Sequence, residues 1–348
     1  STAFPQMEPG SRATSPLPSG WTHDLAGEMV GNPAANATVV AAATLEGLLV
    51  VLASGDGTIL WRTAVGEPVA AGPLIKNGMI FLAGRGGNLY AWDQFTGKPR
   101  WGLRIQAPIT VSPGFSRRQD RLLIAIPGKL LVLDPETGEI RSRSVFRGTP
   151  ATSPVSCRDR ILIGTTDGRL LGIQRESLRP TWEVSCGAAP PSLPACDQNA
   201  ALVGCGDSIT RIGLDKGKVK WEFRTGGRIT SRPVIRANRI FAGSFDNDIY
   251  ILKRKSGHLI HYRVSSHRLV ADPLVLGNLF LVFPFTADIL QVHTLPNLDP
   301  AGSFPVPRPE SGTCSSPQAA GPATAVIGCG SGNTRLMGIP IHTLPALP

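Results

Sequence analysis

Six cysteines, Cys157, Cys186, Cys196, Cys205, Cys314 and Cys329, all lie beyond residue 150 of the chain. Thiols can ligate a metal, relay electrons or cross-link strands. Their spacings match no zinc or haem pattern, which leaves disulfides or small buried apolar residues. Three histidines, His258, His261 and His267, share one segment. On a strand the i, i+3 spacing sets His258 and His261 on opposite faces, so they read as surface residues rather than metal ligands. The remaining chemistry is electrostatic. Basic side chains gather at Lys76, at Arg117, Arg118 and Arg121, at Arg158 and Arg160, and at Arg236 and Arg239, while Phe245-Asp246-Asn247-Asp248 forms a mixed apolar and acidic cluster.

The elements that carry these groups are set by a ladder of prolines. Pro33, Pro73, Pro113, Pro154, Pro194, Pro233, Pro273 and Pro317 follow one another at 40, 40, 41, 40, 39, 40 and 44 residues. A period near 40 made of short β-prone runs and tight turns is the signature of a β-propeller, each repeat being one four-stranded blade. The Pro233 repeat shows the parts: strands around Val234, Phe241, Tyr250 and Tyr262, with turns at Ala237-Asn238, Asp246-Asn247-Asp248 and Lys255-Ser256-Gly257. A proline lacks a backbone donor, so each marker is expected near the start of the innermost strand, the edge that faces the central channel. Late in the second strand Gly84, Gly164, Gly204, Gly243 and Gly328 predict a close approach of one blade face onto the next.

Twelve residues before successive prolines stand Trp21, Trp61, Trp101, Ser142, Trp182, Trp221 and His261. A ring at this offset on the outermost strand is expected to wedge between adjacent blades. Trp21 has no blade before it, and the last repeat lacks an outermost strand. The expectation is an all-β, eight-bladed β-propeller of four-stranded antiparallel blades, closed when the N-terminal strand completes the C-terminal blade. Closure removes an exposed sheet edge. The domain reading is a Pro/Ser-rich tether over 1–20, a single propeller over 21–340 and a short tail over 341–348.

On this frame the cysteines and charges acquire places. Transferring the first-hairpin register of the Pro233 repeat to the last repeat sets Cys314 opposite Cys329, and Cys186 with Cys205 is a looser pair. The first-hairpin turns carry Lys76, Arg117, Arg118, Arg121, Arg158 and Arg236 toward one mouth of the channel. With a net charge of +10, that rim would attract an acidic protein surface, or else it is a solubilising face. No nucleic-acid motif or stacking surface accompanies the charge. No apolar run reaches membrane-spanning length, so membrane association is expected only through an anchor or a partner. The start at Ser1 without Met suggests a processed product and export. The position before each proline reads Asn32, Gly72, Ser112, Ser153, Leu193, Arg232, Asp272 and Ser316. Arg232 and Asp272 are expected to form a salt bridge there, and no cluster of carboxylates converges on the channel. The Pro-rich stretch 296–309 is expected to be the least regular surface of the disc and a second place for a partner.

The turn between third and outermost strands carries the most specific string. Ala91-Trp-Asp93-Gln-Phe-Thr96-Gly97-Lys-Pro-Arg-Trp101 and Val132-Leu-Asp134-Pro-Glu-Thr137-Gly138 resemble the repeat of the PQQ-dehydrogenase-like propellers. Asp caps donors in the turn, Thr and Gly make its corner, and Trp packs back onto the blade. The resemblance covers roughly residues 21–340. The dehydrogenases of this superfamily hold PQQ against an adjacent Cys-Cys disulfide and use Ca²⁺, and no two cysteines are adjacent here. In size, blade number and short loops the chain is closer to the BamB family of propeller lipoproteins of the outer-membrane barrel-assembly machinery. That resemblance implies a non-catalytic periplasmic scaffold without cofactor or metal, docking on the periplasmic domains of a barrel-inserting subunit. Ser1 departs from the lipid-bearing cysteine of such lipoproteins, and six cysteines and strong basicity are further departures. The alternatives are a periplasmic oxidoreductase using PQQ or another cofactor, and a ligand-binding sensor propeller.

Overall fold

The computed structural model describes residues 20–116, 120–187, 190–265, 267–284, 288–306 and 313–341. Residues 1–19 of the tether, residues 342–348 of the tail, and Arg117 and Arg118 lie outside them. All regular structure among the described residues is antiparallel sheet, arranged as the eight blades of a propeller. Blade 1 shows the plan: innermost strand Ala34–Ala35, then Val39–Ala43, Leu48–Ala53 and outermost Ile59–Ala64. Blades 2 to 7 repeat it, ending on the outermost strands Pro99–Arg104, Ile140–Val145, Pro180–Ser185, Val219–Arg224, Leu259–Val264 and Asp299–Pro305. Every marker proline immediately precedes an innermost strand, where its missing N–H costs no ladder bond.

Blade 8 is assembled from both ends of the chain. Trp21–Asp24 pairs with Arg335–Pro340, with Trp21 opposite Gly338 and Asp24 opposite Arg335. The inner edge of this blade is broken into Thr313–Cys314 and Gln318–Ala319, both paired with Thr324–Gly330.

Among the described residues the core is divided rather than central. Eight apolar clusters occupy the eight seams between consecutive blades. In the second strand of blade 1, Val39, Ala41 and Ala43 face one seam while Val40 and Ala42 face the other. Both faces of such a strand are covered, which is why second strands read as continuous apolar runs without alternation.

The tryptophans act across the seams. The indole N–H of Trp21, Trp61, Trp101, Trp182 and Trp221 donates to the carbonyl of Ser54, Gln94, Pro135, Leu214 and Arg254, each in the next blade. Three residues beyond each acceptor sits Gly57, Gly97, Gly138, Gly217 or Gly257, at φ between 66° and 74°. A Cβ on any of these glycines would lie 2.5 to 2.7 Å from the indole. The ring therefore packs onto the neighbour's turn as well as back onto its own blade, where a Cβ at Gly172 or Gly338 would lie 2.1 or 2.3 Å from the indole of Trp182 or Trp21. Where the ring is missing, the glycine is missing too. Ser142 faces Leu178 and blade 6 presents His261 toward Leu298, and both leucines hold positive φ, 54° and 61°. The side chain on the turn supplies part of the volume that an indole fills elsewhere.

The glycines of the second strands have a different neighbour from the one expected. A Cβ at Gly164 would meet Thr152 and Pro191, at Gly204 Ile229, and at Gly243 Leu269, all in blade-to-blade connections rather than on a blade face. The connection has to cross close over the strand end, and Thr152 and Ser192 bind the Gly164 and Gly204 amides there at 2.8 and 2.7 Å. The Pro-rich stretch also differs from expectation. Asp299–Pro305 is a regular outermost strand paired with Ile289–Thr294, because the open edge of a sheet tolerates prolines. Pro307 and Pro309 lie outside the described residues.

Candidate protein-docking faces

Antiparallel strands that alternate in direction sort the turns onto two faces of the disc. First-to-second and third-to-outermost turns emerge on one face, second-to-third turns and blade-to-blade connections on the other. Lys76, Arg121, Arg158 and Arg236 therefore share a face, while Phe245 and Asp246 occupy the opposite one. The two candidate contact regions cannot form a single surface.

On the second face Asp246 is engaged within its own turn. It accepts from the Tyr250 hydroxyl at 2.6 Å and from the Asp248 amide at 3.1 Å. Burial, and then the bond to Asp246, push the Tyr250 hydroxyl up to about 12. Phe245 lies under the Arg268 guanidinium at 6.0 Å from its ring centre. These contacts order a turn, and they are what a well-packed hairpin requires.

On the first face arginines link successive blades. Arg158 donates to Asn199 Oδ1 at 2.5 Å, and Arg236 donates to the Gly277 carbonyl at 3.1 Å. Arg239 reaches the Pro296 carbonyl and Asn297 Oδ1. Arg121 bonds the carbonyl of Asp120, and Lys76 is half-buried at the end of its strand. The acceptors in these bonds are neutral, so orientation is fixed while the positive charge stays uncompensated. Arg160 is the exception: it is buried beneath the rim and bonded to Asp159 and Gln174.

A further basic group lies at the seam of blades 4 and 5. A cleft of about 640 Å³ is lined by Arg158, Lys216, Lys218 and Lys220, against the carboxylates Asp159 and Asp215. The three lysines are exposed. They were not singled out from sequence, although Lys216-Gly-Lys218-Val-Lys220 alternates with the period of a strand and could have been read as one basic edge.

The same seam is cross-linked twice. Cys157 at the end of one innermost strand joins Cys196 at the end of the next, with Cα atoms 5.5 Å apart. On the opposite face Cys186 joins Cys205, with Cα atoms 4.4 Å apart. Arg158 follows Cys157 directly, and Asn199 lies three residues beyond Cys196, so the first bridge holds the turns that shape the cleft. Cys314 is registered opposite Cys329 and bonded to it within blade 8. The Cys157–Cys196 pair was not foreseen. Its separation of 39 residues, one repeat, is the signal that equivalent positions on neighbouring blades meet.

The channel belt is polar and self-satisfied. The Arg232 amide donates to Asp272 Oδ1 at 2.6 Å, the Asp272 amide to Ser316 Oγ at 2.9 Å, and the Ser316 amide to Asn32 Oδ1 at 2.9 Å. Asp272 thus binds backbone, and the Arg232 guanidinium acts on it through space rather than in the close ion pair expected. Burial raises the Asp272 carboxyl above its usual range. Among the described residues no group of three His, Cys, Asp or Glu side chains is placed to hold a metal. The six cysteines pair across strands, and none of these pairs is the adjacent one on which the dehydrogenases lay their quinone.

The family model described as outer membrane protein assembly factor BamB matches residues 18–118 and 85–281. An outer membrane protein assembly factor BamB of Burkholderia pseudomallei (strain K96243) is 24% identical over 288 residues, covering 75% of this chain and 73% of the relative. Another from Bordetella pertussis is 21% identical over 299 residues, covering 77% and 76%. The crystal structure of BamB from Moraxella catarrhalis superposes with a TM-score of 0.68 at 16% identity, over 91% of this chain and 97% of that one. A computationally designed protein, Ika8, superposes with a TM-score of 0.76 at 14% identity, over 90% of this chain and 96% of that one. At these identities the structural likenesses show the fold alone.

Proposed function

Because the chain belongs to the BamB family of outer membrane protein assembly factors, we propose that it is a non-catalytic scaffold of the bacterial envelope that docks a protein of the outer-membrane assembly machinery. The observation that carries the reading is the basic cleft at the seam of blades 4 and 5, held in shape by the Cys157–Cys196 bridge. Binding residues on a stiff support lose little conformational freedom on association. A rim whose guanidinium groups are oriented by neutral acceptors is already arranged for carboxylates.

The rest of the basic face, Lys76, Arg121 and Arg236, extends the same field around the disc. Pairing of all six cysteines fits an exported protein working in an oxidising compartment such as the periplasm. Attachment to the membrane would then come through an anchor or through the partner.

Affinity purification of the tagged protein from its own cells at low and moderate salt tests the reading. The expected result is co-purification of an assembly-machinery subunit that salt weakens. Lys218→Glu with Lys220→Glu should remove that companion, while Lys98→Glu on another blade should not. Retention of the companion by the double variant, with unchanged salt dependence, would remove the cleft from consideration.

A further inference from the structure

Each blade ends on an outermost strand with an open edge, and natural sheets protect such edges with prolines and charges. Most blades here do so. Pro99 and Pro180 open the outermost strands of blades 2 and 4, and Pro300 and Pro305 lie in that of blade 7. At one register position, two places before the last strand residue, Arg62, Arg143, Glu183 and Glu222 stand in blades 1, 3, 4 and 5. Blade 6 carries Tyr262 at that position, opposite Tyr250.

The edge of blade 6 is unprotected in every respect that can be compared. Leu259–Val264 contains no proline, and Leu259, Ile260, Tyr262 and Val264 are exposed to 43%, 38%, 47% and 75%. Its single charge, Arg263, is bound to Asp299 of blade 7 at 2.8 Å. Along residues 249–264 the charges are of one sign, Lys253, Arg254, Lys255 and Arg263 with no carboxylate, whereas the matching stretch of blades 1 to 5 and 7 each holds at least one; the carboxylates beside the strand are Asp248, opposite Val264, and Asp299, bound to Arg263. Lys253 and Lys255 are exposed beside the start of the edge strand.

The geometry points to the outermost strand of blade 6 as a docking edge that takes an extended segment of another protein as a fifth strand, apolar in alternate positions and flanked by acidic residues. Main-chain bonds along the edge supply binding, and Ile260, Tyr262 and Val264 supply apolar contact. The lysines select the acidic flank. A second copy of this chain is disfavoured as occupant, because each copy carries a net charge of +10. The edge lies on the circumference, away from the blade 4–5 cleft, so this inference does not depend on that docking reading.

The test uses the full chain and a fluorescent synthetic peptide alternating valine with threonine and ending in aspartates, followed by anisotropy. Binding is expected, and so is its loss when proline interrupts the peptide or lysines replace the aspartates. Leu259→Pro with Tyr262→Glu reproduces residues that blades 2, 4 and 5 already carry at these positions, and should weaken binding about tenfold or more with the fold kept. Should that variant fail to fold, the two altered peptides on the unaltered protein decide the matter. Absence of binding, equal binding of the proline-interrupted peptide, or concentration-dependent dimerisation lost in the variant would each overturn the proposal.

Discussion

Trp61 and Gly97 are one unit although they belong to different blades. The indole requires a turn residue without a Cβ, and the turn requires a residue that tolerates φ of 67°. The seam of blades 3 and 4 tests this logic, since Ser142 and Leu178 replace the pair. Ser142→Trp alone should overpack the seam and cost about 1–3 kcal/mol. Combined with Leu178→Gly, the indole can reach the Arg175 carbonyl as its sister rings reach theirs, and much of the loss should be recovered. A urea-denaturation double-mutant cycle checks this, with a favourable coupling of about 0.5–3 kcal/mol expected. The ring, the glycine and their offsets were readable in the sequence. A seat for the ring between adjacent blades was readable too, but its glycine partner on the neighbour's turn was not, because a fixed offset from a proline does not say which residue a side chain reaches.

At the scale of the element, the third-to-outermost turn depends on its aspartate. Asp93 accepts from the Thr96 and Phe95 amides at 3.0 and 3.1 Å and from Arg100 at 2.8 Å. These bonds, the Thr96 amide first, hold its carboxyl well below the usual range. Asp134 is lowered in the same way, chiefly by Arg141. A depressed folded value means stability that is present above the unfolded carboxylate range, near pH 4, and lost as pH falls through the folded values. Asp93→Asn with Asp134→Asn should therefore lower the melting temperature at neutral pH and flatten its decline in acid, as followed by circular dichroism. The hairpins themselves were legible in the sequence from turn residues and apolar runs. The expectation of irregularity over 296–309 failed at Asp299–Pro305 because proline content signals an open edge as readily as a loop.

For the whole molecule, closure rests on four residues pairing with the other end of the chain. Asp24 and Arg335 add an ion pair at 2.6 Å across that junction, and Trp21 and Leu25 fill the seam between blades 8 and 1. Removing the chain up to residue 27 should expose Arg335–Pro340 as a new edge, abolish the single cooperative melt and cause association visible by size exclusion. Asp24→Cys with Arg335→Cys, at directly opposed positions, should instead stabilise the ring by about 2–4 kcal/mol when oxidised. The repeat, the blade number and this closure follow from the sequence alone, because periodic prolines, glycines and tryptophans mark conformations that only those residues meet cheaply. The sorting of Arg158 and Asp246 onto opposite faces, the Cys157–Cys196 bridge, the lysine cleft and the bare edge of blade 6 were decided by tertiary structure. Each depends on which blade stands next to which and on which strand direction carries a residue to a given face, and such relations appear only when the ring is closed.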